Sequence, residues 1–154
     1  MYSVRGRTAA TAATADHACA TLWNPHSTHR IRVVQISLCA SAAPSAGCTL
    51  KLRRATARGT AGSTVTPGVM HHSLRAIAPP SGAVLDLAAY TTQPTFETGD
   101  LGLGWVLAAV AAAGVIYPIP NGIEIPPGAG LSITTGAAIA IPASDVTFFW
   151  LEDW

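Results

Sequence analysis

The sequence predicts an all-β chain, a jelly-roll-like β-sandwich of about eight antiparallel strands with an extended N-terminal arm. Three observations carry that prediction. The 14 glycines and 11 prolines punctuate the whole length, and such residues mark turns. Between them lie short runs rich in Val, Ile, Leu and Thr, several of which alternate apolar and polar side chains. Helical periodicity is weak throughout, so nothing competes with the two-residue repeat.

Residues 1–15 form the arm. They belong to "MYSVRGRTAATAATADHACATL", which carries Arg5 and Arg7 but no apolar core after them, and so reads as a polar Ala/Thr-rich segment and not as a signal peptide. An arm without a core of its own is expected to order only on a partner. Residues 16–154 form the sandwich domain. Its first strand is "ACATLW" (18–23), and "NPHSTHR" turns the chain into "RIRVVQISLCA" (30–40). There Ile31 and Val33 share a face, after which the apolar phase passes to Val34, Ile36 and Leu38. A one-residue phase change within a strand predicts a bulge, or a passage from one environment to another.

"CTLKLRR" (48–54) places Leu50 and Leu52 inward with Lys51 and Arg53 outward. Residues 55–82 read as a large surface loop, with a short element near 69–76. "AVLDLAAY" (83–90) sets Leu85, Leu87 and Ala89 against Asp86. Further strands are expected at 103–111 and 114–119, with a short helix over 105–113 as the alternative for the Ala-rich piece. "EIPPGAG" is a turn, since Pro fixes φ and Gly frees it. "GLSITTG" (130–136) puts Leu131 and Ile133 inward, and "VTFFWLED" closes the chain with apolar residues on both faces.

Hydrophobic residues make up 49% and charged residues 11%, where roughly 25% charged is usual for a soluble domain. A chain so short of charge is expected to bury surface against something else. A membrane is not that something. The longest apolar stretch, 101–120, is broken by Gly102, Gly104, Gly114, Pro118 and Pro120 and has no basic flank, and a spanning helix needs about 20 apolar residues. The charges that exist are segregated. All 9 basic residues lie at or before Arg75, opposed in that half only by Asp16; every other acid follows Arg75. Such asymmetry suits nucleic acid, a solvated basic face, or pairing of the two halves within or between subunits. No aromatic residues interleave the arginines, which argues against nucleic acid.

Chemistry-bearing patterns are weak. Cys19, Cys39 and Cys48 lack CxxC spacing and read as buried small hydrophobes in a reducing compartment, although Cys39 and Cys48 flank a hairpin-like turn. His71 and His72 are adjacent, which on a strand sends them to opposite faces, and His26 and His29 lie in a turn. "FETGD" offers Glu97 and Asp100 without the rest of a calcium loop. GxSxG, GxGxxG and P-loop patterns are missing. No catalytic, metal or cofactor site is therefore expected. Trp23, Trp105, Trp150 and Trp154 read as core or interface fillers.

An Ala/Thr-rich arm, a strand ending "TLWNP", then "RIRVVQISL", "NGIEIPPGAGLSI" and a closing "VTFFWLED" form an order that resembles small structural proteins of tailed bacteriophages. Jelly-roll capsid decoration (cement) proteins are the nearest in kind. The resemblance covers about the last hundred residues as a pattern, and phage tail and fibre modules share it. It implies a homotrimer, made in the host cytoplasm and seated on the virion's capsid surface, that clamps neighbouring copies of the major capsid protein. The loop at 55–82 is longer than in the plainest such proteins. On this reading Phe148, Phe149, Trp150 and Trp154 contact a neighbouring subunit, and Arg5 and Arg7 reach acidic groups of the shell. A receptor-binding tail or fibre module and a carbohydrate-binding sandwich are the competing expectations.

Overall fold

A computed structural model of the chain describes residues 1–66, 81–99 and 101–152. They form β1 (Tyr2–Arg7), β2 (Ala18–Asn24), β3 (Ile31–Ala40), β4 (Cys48–Ala57), β5 (Ser63–Val65), β6 (Val84–Leu87), β7 (Thr95–Phe96), β8 (Gly104–Leu107), β9 (Gly114–Ile125), β10 (Ala129–Thr135) and β11 (Ser144–Glu152). No helix occurs among the described residues. Every paired strand is antiparallel. One sheet has the order β1-β11-β3-β9; the other has β5-β6-β2-β10-β4-β7, with β8 also on β4.

These orders are those of a jelly roll. β7 and β8 act as one interrupted strand along β4, linked by Leu101 N–H to the Leu52 carbonyl and Glu97 N–H to the Arg54 carbonyl. With the β5–β6 pair set aside as an insertion, the strands run 1-8-3-6 in one sheet and 2-7-4-5 in the other. That is the arrangement of two interlocked Greek keys.

Alternation explains the core. β11 buries Ser144, Val146, Phe148, Trp150 and Glu152 and turns the residues between them outward. β3 buries Ile31 and Val33, then Ile36, Leu38 and Ala40. The expected bulge is present: the register with β11 pairs Val33 with Trp150 and Gln35 with Phe149, leaving Val34 as the extra residue. The bulge rephases β3 so that both of its apolar sets face the same core. Trp150 and Phe148 are the largest of the fully buried side chains, each contributing about 1.5–3 kcal/mol by removal from water.

The expectation of an arm is corrected. Residues 2–7 are β1, paired with β11 from Tyr2↔Trp150 to Arg7↔Asp145. Tyr2 and Val4 are buried, and the Tyr2 ring stacks on Trp150 at 5.9 Å. Thr8, Ala9 and Thr11 continue along the fold by donating backbone hydrogen bonds to Ser144, Ala88 and Ile141. The apparent polarity of this segment was the outward face of an edge strand. The helical alternative for 105–113 is also replaced: β8 ends at Leu107, the chain turns, and β9 begins at Gly114. The segment 55–82 is only partly a loop, since β4 runs to Ala57 and β5 follows. The element near 69–76, with His71, His72 and Arg75, lies outside the described residues.

β2 is buried along its entire length, because it is covered on both sides. Its inner residues meet the core, the segment 88–94 reaches its other side through Tyr90 and Gln93, and the segment 57–62 packs against 88–94 in turn. The two segments approach so closely that a Cβ on Gly59 would lie 2.3 Å from the Thr92 carbonyl oxygen. Beneath them sits a polar cluster. Asp86 accepts two hydrogen bonds from Arg58, at 2.7 and 2.8 Å, and a third from the Thr64 hydroxyl at 2.6 Å. The Tyr90 hydroxyl lies 3.0 Å from Thr21 Oγ1, which in turn is 2.7 Å from Ser132 Oγ. β9 forms an edge, and Pro118 and Pro120 stand in it.

The Asp86 carboxylate is 2% exposed and Arg58 is its only ion-pair partner among the described residues. Replacing Arg58 by Met is expected to cost about 3 kcal/mol, because it strands a buried charge. Adding Asp86→Leu should recover much of that loss in urea unfolding. Equal losses in the single and double variants would contradict this account.

Candidate interaction surface

Two outer surfaces bring together the residues that chemistry or assembly can use. The first is the outer face of the four-stranded sheet. Registers place Arg7, Asp145, Cys39 and Gly114 in one row across it, Arg5, Thr147, Ser37 and Ile116 in the next, and Ser3, Phe149, Gln35 and Pro118 in a third. An open groove of about 600 Å³ runs over the first two rows, with Arg5 on one side and Ile116 on the other.

Arg5, Arg7 and Phe149 therefore share one outward face, as an interface reading requires. Phe148 and Trp150 do not. They point into the subunit's own core, so their expected role in an intersubunit contact is corrected: period-2 alternation splits the aromatic run between two sides. Trp154 lies outside the described residues. Phe149 is half-buried and Leu151 is exposed. The end of β11 carries a buried carboxylate instead. Glu152 accepts hydrogen bonds from the Trp150 indole at 3.0 Å, and from the Ser81 N–H at 2.9 Å and hydroxyl at 2.6 Å.

Arg5 and Arg7 also find a partner within the chain. Arg7 makes a two-pronged contact with Asp145, at 3.1 and 3.0 Å, and Arg5 lies 3.3 Å away. The Arg7 hydrogen bonds, then the positive charge of Arg7 and Arg5, hold the Asp145 carboxyl below its ordinary range. This corner is one case of a general settlement. Arg30 pairs with Glu124 and Arg58 with Asp86, so the basic first half and the acidic second half meet inside one subunit. Arg53 pairs with Asp16 and lies over the Phe96 ring.

The second surface is the side where the edges β8 and β9 come together. Trp105 and Tyr117 stack across that side at 5.1 Å, joining the two sheets. Val106, Val110 and Ile116 are 68%, 57% and 69% exposed, most of the large exposed hydrophobics among the described residues; Val106 turns outward beside Thr49 on one sheet and Ile116 beside Ser37 on the other, so they flank this side on its two faces. No acidic or basic residue occurs from Leu101 to Ile123. The uncharged run is thus a crossover from β8 in one sheet to β9 in the other, with Leu107, Ala113 and Ile119 buried and Val106, Val110 and Ile116 exposed. No helix among the described residues is long and apolar enough to cross a membrane.

Other sequence candidates fall elsewhere. Trp23 is buried against Gly130, where an added Cβ would lie 2.9 Å from its ring. His26 and His29 meet edge-on, with ring centroids 4.2 Å apart. Glu97 uses its backbone in the sheet, and Asp100 lies outside the described residues. Among the described residues no three His, Cys, Asp or Glu side chains gather into a metal site. Cys19 and Cys48 are buried as expected, whereas Cys39 is exposed in the groove and corrects that expectation. Burial, with a smaller contribution from Cys48, pushes the Cys19 thiol up to about 12; burial raises Cys48 as well. No protein-family model matches the chain, and no curated protein matches it.

Two outcomes follow from these environments. In the folded protein a thiol reagent should modify Cys39 alone, with Cys19 and Cys48 reacting only after unfolding, as peptide mass mapping would reveal; fast labelling of Cys19 would contradict the burial. Asp145 is held low, so its stabilising contribution is present above the ordinary carboxylate range and is lost as pH falls through that range. An Asp145→Asn variant should therefore lose less thermal stability on acidification than the unaltered chain. Parallel melting profiles would show the pair to be inert.

Proposed function

We propose that this chain is a structural virion protein, a jelly-roll subunit that assembles as a homotrimer on the outer surface of a tailed-phage capsid and cements its major capsid protein. One observation carries the reading. Charge is settled inside the subunit, while the chain from Leu101 to Ile123 carries no charge and exposes Val106, Val110 and Ile116 along the margin where the two sheets meet. Surfaces of that kind mark protein contacts. A closed ring of subunits removes such a side from water without exposing it elsewhere. The sheet order supports the resemblance to decoration proteins at the level of architecture, and the order of motifs along the chain supports it further.

The four-stranded face then serves the shell. Two guanidinium groups share the Asp145 carboxylate, so this corner keeps a net positive charge that suits an acidic patch. Each contact is modest, and its repetition over a trimer on a lattice supplies holding strength by avidity. No reaction is required of the protein in this role. A carbohydrate-binding reading is less well served. It needs a flat exposed aromatic, but Trp23 is buried and Trp105 is half-buried and stacked on Tyr117.

The reading is tested by mass and by binding. The purified chain should have the mass of a trimer and should co-sediment stoichiometrically with capsids. Val106→Glu with Ile116→Glu should yield a monomer, with stability changed by no more than about 1 kcal/mol because both sites are exposed. A monomeric parent, or binding to host cells in place of capsids, would overturn it.

A further inference from the structure

The turn between β2 and β3 is organised around an imidazole. His26 Nδ1 accepts the backbone N–H of Thr28 at 3.0 Å and that of His29 at 2.9 Å. The Thr28 hydroxyl adds a contact at 3.3 Å. Backbone amides can only donate, so Nδ1 must present its lone pair and the neutral ring carries its hydrogen on Nε2. A ring protonated on both nitrogens cannot accept either bond.

A buried anchor lies below. Asn24 Nδ2 donates to the His29 carbonyl at 2.8 Å, and to the carbonyls of Pro126 and Ile125 at 3.3 and 3.4 Å. Asn24 Oδ1 accepts the His26 N–H at 3.2 Å, and the Asn24 carbonyl accepts the Gly128 N–H at 3.0 Å. The histidine turn and the β9–β10 turn thus share one residue. The His29 ring meets His26 edge-on at 4.2 Å. The other charged groups near this end are Arg30 and Glu124, paired with each other, Arg32, which faces Glu124 across the β3–β9 ladder, and Glu152, held by Ser81 and Trp150. Among the described residues none of them bonds to either imidazole.

We propose that the His26–His29 turn is an acid-opened latch. Protonation of His26 removes the acceptor from two amides. Protonation of His29 as well sets two cationic rings side by side, and like charges at that spacing repel. The turn then releases, and Asn24 loses the His29 carbonyl, so the histidine turn is no longer joined through Asn24 to the β9–β10 turn. The latch is independent of the assembly reading, because it rests on hydrogen bonds within one subunit.

The test is NMR on the full chain. In neutral solution long-range ¹⁵N–¹H spectra should show His26 with its hydrogen on Nε2. Relative to unstructured-peptide rates, the Thr28 and His29 amides should exchange about tenfold faster near about pH 5 than near about pH 7.5, with the β2 and β3 core amides unchanged. His26→Asn keeps a side-chain acceptor for the amides two and three residues on, but takes up no proton, so its protection should be flat across that range. An Nδ1–H tautomer, unchanged protection on acidification, or the same pH dependence in His26→Asn would each overturn the latch. Should His26→Asn fail to fold, the tautomer and the unaltered protein's profile decide the matter.

Discussion

The fold depends on β11 lying between β1 and β3. That insertion joins the chain's first strand to its last and places Val146, Phe148 and Trp150 over the opposite sheet. Tyr2 reaches Trp150 only because this register holds. One end of the strand carries Asp145 to the arginines of β1; the other carries Glu152 to Ser81. A single nine-residue strand thereby fixes the N-terminus, the centre of the core and the rim at Ser81.

Ion pairing then decides which surfaces are left for partners. The sequence segregates its charges by halves, and antiparallel pairing of early with late strands brings opposite signs together: β1 with β11, β3 with β9. The segregation is thus a by-product of jelly-roll connectivity, in which the first strands neighbour the last. Such exposed pairs add little stability individually. Their larger effect is to leave the four-stranded face with modest net charge and the β8–β9 side with none.

Much of the architecture was legible because alternation and turn chemistry are local. The Val33/Val34 phase change announced a bulge, Pro126-Pro127-Gly128 announced a turn with φ +67° at Gly128, and Leu50 and Leu52 announced the inner face of β4. The arm was misread because Arg5, Gly6 and Arg7 give β1 no apolar signal beyond Tyr2 and Val4. Gly6 is inward all the same, since a Cβ there would lie 2.6 Å from Leu87. The aromatic run at 148–150 suggested an interface, yet only Phe149 turns outward. The Asp86 cluster could not be read at all, because Arg58, Thr64, Asp86 and Tyr90 are brought together by loops packing on one another, a tertiary event without local periodicity. The uncharged run from Leu101 to Ile123 was visible as composition, but which of its side chains stay exposed was not.

An uncovered sheet edge rich in aliphatic side chains ordinarily templates further strands and ends in fibrils. Pro118 and Pro120 interrupt β9 where such growth would start, since a proline offers no N–H to an incoming chain. Strand-by-strand growth along this margin is thereby disfavoured, whatever its aliphatic side chains meet.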